Sequence, residues 1–178
     1  MARIITLLFI LCFTVQSRAQ QLTPVDEGST VSYKIKNFGF NTTGTFSGLK
    51  GTILYDPANP ATMSFDVTVD AATVNSGVDL RDEHLRDETY FDVKNFPLIR
   101  FVSVKVTPGG KSGSYTVNGK LTMKGKTQDI NFPFTVVSSG TGYLFDGQFK
   151  INRRDFGIGG GSTVSDNLEV NLHVNAKK

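Results

Sequence analysis

Met63-Ser64-Phe65-Asp66-Val67-Thr68-Val69-Asp70 is apolar at every second position and polar at every other. Side chains alternate across a strand with a period of two, so Met63, Phe65, Val67 and Val69 share one face, and Ser64, Asp66, Thr68 and Asp70 the other. Moving outward, Val31, Tyr33 and Ile35 alternate with Ser32, Lys34 and Lys36, and Tyr115, Val117, Leu121 and Met123 alternate with Thr116, Asn118, Lys120 and Thr122. Ile130, Phe132, Phe134 and Val136 share a face, with Pro133 expected to mark an edge or a bulge. Tyr143, Phe145, Phe149 and Ile151 share another, and Val170, Leu172 and Val174 end the pattern. Residues 45–55 and 98–106 read as two further strands, which makes about eight.

Asp56-Pro57-Ala58-Asn59-Pro60, Pro108-Gly109-Gly110 and Ser138-Ser139-Gly140 supply turn chemistry between these runs. Short connections favour antiparallel neighbours over helical crossovers. Residues 79–88 are charged, lack β-branched side chains and follow Ser76-Gly77, so they read as one short helix in a long connection. The expectation is an all-β fold. Strands with one apolar face either close into a barrel or stack as a sandwich, and closure removes the edges that invite aggregation. An interior bounded by eight strands has room for side chains or for one ligand. Phe and Tyr dominate the inward positions and Trp is absent from the chain. Such rings serve a packed core as well as a cavity wall, and the pattern by itself leaves both open.

The first residues form no part of this pattern. Met1-Ala2-Arg3 is followed by an apolar run over residues 4–15 and then by Gln16-Ser17-Arg18-Ala19. That order describes a secretory signal peptide over residues 1–19, cleaved after Ala19, leaving one domain over 20–178. The run is too short for a membrane-spanning helix, which takes about 20 apolar residues. Cys12, the one cysteine, leaves with the signal, so the fold uses no disulfide. Losing Arg3 and Arg18 takes the formal charge from +3 to +1, and with it goes the electrostatic footprint of a nucleic-acid-binding protein. His84 and His173 alone give no zinc-ligand spacing. Residues 157–161 lack the order of a phosphate-binding glycine loop, and neither histidine belongs to a recognisable triad.

Three segments together resemble the YceI-like family of lipocalin-like, polyisoprenoid-binding bacterial proteins. The first is Arg81-Asp82-Glu83-His84-Leu85-Arg86, with Tyr90-Phe91-Asp92 and Phe96-Pro97-Leu98-Ile99-Arg100-Phe101 after it. The second is Gly119-Lys120-Leu121-Thr122-Met123-Lys124-Gly125. The third is Ile151-Asn152-Arg153-Arg154-Asp155-Phe156-Gly157-Ile158-Gly159, followed by Val164-Ser165-Asp166. The resemblance implies an eight-stranded antiparallel lipocalin-like barrel with a long apolar tunnel for an isoprenoid tail. It also implies export to the periplasm or beyond, and no settled catalytic activity. Two positions depart from the family pattern: Asn37 stands where many relatives have His, and Asn167 where an acidic residue is frequent.

The resulting expectation is a carrier, store or sink for a polyisoprenoid or isoprenoid quinone. Tyr33, Phe46, Phe65, Phe101, Leu121, Phe132, Phe145 and Phe149 are its expected tunnel wall. Arg81, His84, Arg86 and Arg153 are candidate head-group or rim contacts, because guanidinium and imidazole groups suit a phosphate or quinone head. The structural account of the same residues has Asp82, His84 and Arg86 pinning the helix to the barrel rim, and an Arg153–Asp155 pair fixing a strand end. No cofactor beyond the lipid, no metal, no catalytic residue and no nucleic-acid partner is expected. A homodimer formed through strand edges near Pro133 or through an exposed rim stays open. The rival expectations are a secreted stress or interaction module with a filled barrel, and an enzyme acting on a bound lipid with His84 as acid or base.

Overall fold

Strands form wherever the alternation runs. They are β1 (Gln20–Asn37), β2 (Phe40–Tyr55), β3 (Ser64–Asn75), β4 (Leu98–Pro108), β5 (Ser114–Met123), β6 (Lys126–Ser139), β7 (Gly142–Asn152) and β8 (Val164–Lys177). Each pairs antiparallel with the next, and β1 pairs also with β8, so the sheet closes into one eight-stranded barrel. The expected short helix is α1 (Asp79–Arg86), between β3 and β4, and 3₁₀ turns form at Pro60–Thr62 and Arg153–Phe156. The structure, a computed structural model, describes residues 19–140, 142–160 and 163–178; the expected signal peptide with Cys12 lies outside the described residues apart from Ala19. Among the described residues no helix is long and apolar enough to cross a membrane.

Bulges change which residues face inward, among them one on β4 that passes the inward side from Phe101 to Val106 across exposed Val104. Along β1, Leu22 and Pro24 are buried, but the register to β2 shifts between Leu22 and Val31, and the inward side passes to Val31, Tyr33 and Ile35. Along β2 the shift between Ser47 and Lys50 moves the inward side from Phe46 to Leu49 and Ile53. Asp26 joins the two irregular stretches: its carboxylate accepts hydrogen bonds from the backbone N–H groups of Gly48 and Leu49, each 2.9 Å. Backbone donors that the ladder releases at the β2 bulge thus find a partner on β1.

Pro133 stands in the part of β6 that has a partner on its β5 side only, a local edge of the kind the proline suggested. It pairs with Thr116 of β5, and the ladder to β7 begins at the next residue, Phe134↔Gly147. A residue without an N–H is thus placed where β6 has parted from β7. Gly44 pairs with Tyr33, whose ring lies so close over it that any Cβ there would collide with the ring. Only glycine lets the aromatic side chain lie flat against the neighbouring strand at that point.

Aromatic contacts seal one end of the barrel. Tyr55 packs against Tyr143 with ring centroids 4.6 Å apart, and meets Tyr115 and Phe145 edge-on at 6.5 and 5.8 Å. Leu22, Met63, Val106 and Ala176 complete this buried plug. At the other end β1 turns into β2 through Phe38 and Gly39, with Asn37 paired to Phe40. Both turn residues have positive φ, 49° at Phe38 and 83° at Gly39, as a two-residue hairpin of primed type requires. A side chain at such a position costs roughly 1–2 kcal/mol, and Asn tolerates it best among residues other than glycine. Phe38→Asn is therefore expected to stabilise the barrel by about 0.5–1 kcal/mol and raise Tm by roughly 1–4 °C, read in a thermal melt.

Candidate functional site

The barrel interior is not filled. A cavity of about 520 Å³ runs inside it, and its wall carries three groups of rings. Phe65, Phe134 and Phe145 stand just above the tyrosine plug, with Phe65 edge-on to the other two at 5.4 and 5.9 Å. Phe132 stacks on Phe149 at 4.6 Å and touches Phe101 at 5.6 Å. Nearer the open end, Phe46 packs on Tyr33 at 6.0 Å and edge-on to Phe91 at 5.3 Å. Leu121 faces the same space from β5. The structure thus brings Tyr33, Phe46, Phe65, Phe101, Leu121, Phe132, Phe145 and Phe149 onto one wall. Tilted, edge-on and stacked pairs suit the aromatic quadrupole and keep the rings in place without closing the space between them.

The cavity reaches solvent at the α1 end, where Val78 and Leu80 line it while remaining 49% and 64% exposed. Polar groups gather there: Asn37, Thr42, Arg81, His84 and Arg153 all contribute to the wall. Burial of the Tyr33 phenol pushes its pKa up to about 12, with the Arg81 charge opposing and the Asp82 charge adding to the shift. Tyr33 therefore keeps its proton at neutral pH and faces the cavity as a neutral hydrogen-bond donor.

Backbone carbonyls occupy most of the candidate cations. Arg86 lies outside the cavity wall and donates to the carbonyls of Ala72 at 2.8 Å and Val74 at 3.1 Å, fastening α1 to β3. Arg81 reaches the Ser76 hydroxyl and carbonyl at 2.7 and 2.6 Å. Buried Asp82 accepts from the Ser76 N–H at 2.8 Å and from the Ser76 hydroxyl. Arg81 and His84 do face the cavity as well, so the mouth keeps two cationic or imidazole groups beside it.

Arg153 is 4% exposed and donates to the carbonyls of Ile158, Ser165 and Val164 at 2.8, 3.0 and 3.1 Å. Its carboxylate partner is Asp166 at 3.0 Å, not Asp155 as the sequence suggested. Asp155 instead offers its backbone carbonyl to Gln128. The left-handed residue Gly157 ends the 3₁₀ turn, and the chain then runs to β8, whose first residues bring Asp166 within reach of both Arg153 and Arg154. Of the two departures from the family pattern, Asn37 lies on the cavity wall and accepts a hydrogen bond from Thr163 at 3.0 Å. Asn167 is exposed on β8, paired with Asn152.

Several wall residues were not singled out from the sequence. Leu80 and Leu85 come from α1, and Tyr90 and Phe91 from the connection after it. Tyr90-Phe91 belongs to a segment that carries the family resemblance, but a connection has no periodicity from which an inward direction follows.

These features define a closed antiparallel barrel built around an apolar cavity with a polar mouth. The chain belongs to the YceI-like domain family, whose sequence profile matches residues 22–176. A UPF0312 protein of Pseudomonas putida is 30% identical over 155 residues, covering 83% of this chain and 80% of the relative. The crystal structure of Burkholderia cenocepacia BcnA is similar at 33% identity and a TM-score of 0.80, covering 86% of this chain and 99% of that one. A polyisoprenoid binding domain from Saccharophagus degradans shares the fold, with a TM-score of 0.65 at 14% identity over 90% of this chain and 99% of its own.

A hydrogen bond from Arg154 holds the Asp166 carboxyl below the usual carboxylate range; slight burial opposes this, and the charges of Arg154 and Arg153 reinforce it. A group with a depressed folded-state pKa adds stability that is complete above its unfolded value, near about 3.9, and is lost as pH falls through the folded value. Asp166→Asn should therefore lower Tm at neutral pH, with the gap to wild type narrowing once the pH drops below about 4. An equal gap in thermal melts at pH 7 and about 2.5 would assign the loss to geometry instead of charge.

Proposed function

We propose that this protein binds a long polyisoprenoid, of the quinone or polyprenyl type, inside its barrel, as a carrier, store or sink outside the cytoplasm. The observation that carries the proposal is the cavity itself: about 520 Å³, walled by phenylalanines and aliphatic side chains, sealed at one end and open at the other. An interior of this chemistry takes an apolar chain and offers few partners to a polar one. Each buried methylene of such a chain is worth about 0.8 kcal/mol, so several isoprene units outweigh the cost of association.

The open end sets the orientation. The tail runs toward the tyrosine plug and the polar head stays beside Asn37, Arg81 and His84. Membership of the YceI-like family and the shared fold of a polyisoprenoid binding domain support the same reading. The role proposed is one of binding, with Arg86 and Arg153 fastened to backbone carbonyls as parts of the rim. Cleavage of the leader after Ala19 would release the barrel into the periplasm or the medium.

Native mass spectrometry of the exported protein, followed by solvent extraction, tests the proposal. A co-purifying isoprenoid near one per chain is the expected result. An empty protein that also takes up no added quinone or polyprenyl lipid would replace the proposal with a secreted interaction module. Phe132→Asp places a charge on an apolar wall and should abolish uptake. Val170→Trp should do the same by filling the space, which guards against simple unfolding of the charged variant. Arg86→Ala is expected to lower Tm, since it frees two carbonyls on β3, while leaving the lipid content per folded molecule close to wild type.

A further inference from the structure

The rim of the cavity mouth carries two rings that stay largely exposed among the described residues. Phe38 and Phe40 flank Gly39 at the β1–β2 turn and are 72% and 77% exposed. Phe38 moreover occupies left-handed backbone, φ 49°, that suits Asn or Gly far better. A residue that strains the turn and leaves most of its ring exposed among the described residues points to a contact outside the molecule. The tip is continuous with the cavity. Asn37 and Thr42 bracket it and belong to the wall, and exposed Val78 and Leu80 face the same opening from α1.

Charge selects the partner. From Val31 to Phe46 the charged residues are Lys34 and Lys36, with no Asp or Glu among them. They alternate with cavity-facing Tyr33 and Ile35 and so stand on the outer face, just behind the tip. The α1 side of the mouth is mixed, with Asp79 and Glu83 beside Arg81. On β8, Glu169 stands opposite both Lys34 and Lys150, so the outer face behind the aromatic tips carries Lys34, Lys36 and Lys150 against one carboxylate, a net positive charge complementary to an anionic lipid surface.

We infer that the β1–β2 hairpin docks the cavity mouth onto a bilayer containing anionic lipid. Phe38 and Phe40 enter the boundary between head groups and acyl chains, and Lys34 and Lys36 meet the lipid phosphates. The inference rests on the proposed cavity function in one respect: docking lets an apolar tail pass between bilayer and cavity without crossing water.

Co-sedimentation of the exported protein with phosphatidylcholine vesicles, with and without phosphatidylglycerol, tests it. Wild type should bind the phosphatidylglycerol vesicles about tenfold more than the neutral ones, and less as salt is raised. Phe38→Asn/Phe40→Thr, chosen because Asn relieves the turn, should lose about tenfold in vesicle binding while its lipid content by native mass spectrometry matches wild type. Lys34→Gln/Lys36→Gln should abolish the preference for phosphatidylglycerol. Wild-type binding by the ring variant, or no binding of either vesicle by wild type, would overturn the inference. So would a wild-type dimer that the ring substitutions dissociate in sedimentation velocity, because the tip would then meet a second copy. An empty cavity with intact, ring-dependent vesicle binding would count against the lipid-carrier reading alone and support docking.

Discussion

Pairing of β1 with both β2 and β8 is the constraint on which the rest of the molecule depends. Val31 opposes Phe46 on one side and Leu172 on the other, and Tyr33 opposes Gly44 and Val170. Without this double pairing the sheet would have two open edges and no enclosed interior. The strands cannot run straight through it. The ladders to both neighbours are interrupted at the stretch between Val25 and Thr30, where Ser29 holds the carbonyl of Val25 and receives the N–H of Asn175. Asp26 reaches across from the same stretch to the β2 bulge. Side chains therefore stand in for ladder bonds where the barrel bends, and the backbone polar groups remain satisfied.

What keeps the closed barrel from collapsing onto itself is the size and stiffness of its rings. Phe145 contacts the plug through Tyr55 and the wall through Phe65, so the rings continue from the sealed end into the cavity. Phe132 then bridges Phe101 and Phe149 from β6 to β4 and β7. Each ring is braced by another ring and not by filling the centre. Flexible side chains would relax into a void of this size, because an unfilled apolar space forfeits dispersion contacts on one side. The arrangement costs the protein packing energy in exchange for a binding space.

The mouth follows a different rule. There the charged side chains are held by backbone oxygens, as Arg86 is on β3 and Arg153 at the start of β8. The cationic groups that the sequence offers as head-group contacts thus also build the rim. Arg81 and His84 both stand on α1 and face the cavity, and Arg81 also braces the helix through Ser76. Asn37 faces the same opening, so the residue at this position sets the chemistry of the mouth and leaves the apolar wall alone.

Alternation of apolar and polar residues over runs such as 63–70 determined by itself that the chain forms strands, which face of each is apolar, and that α1 interrupts them, since these follow from local periodicity. It could not determine where parity reverses. The change from Leu22 and Pro24 to Val31 and Tyr33, and from Phe46 to Leu49, depends on which neighbour each bulge meets. Nor could it choose Asp166 over Asp155 for Arg153, or place Phe91 against Phe46, because those partners are brought together by the return of β8 and by the connection after α1. Whether the rings fill the interior or line it was decided by the tertiary structure alone. The volume enclosed by a closed sheet is set by strand tilt and stagger, which the order of residues along one strand does not encode.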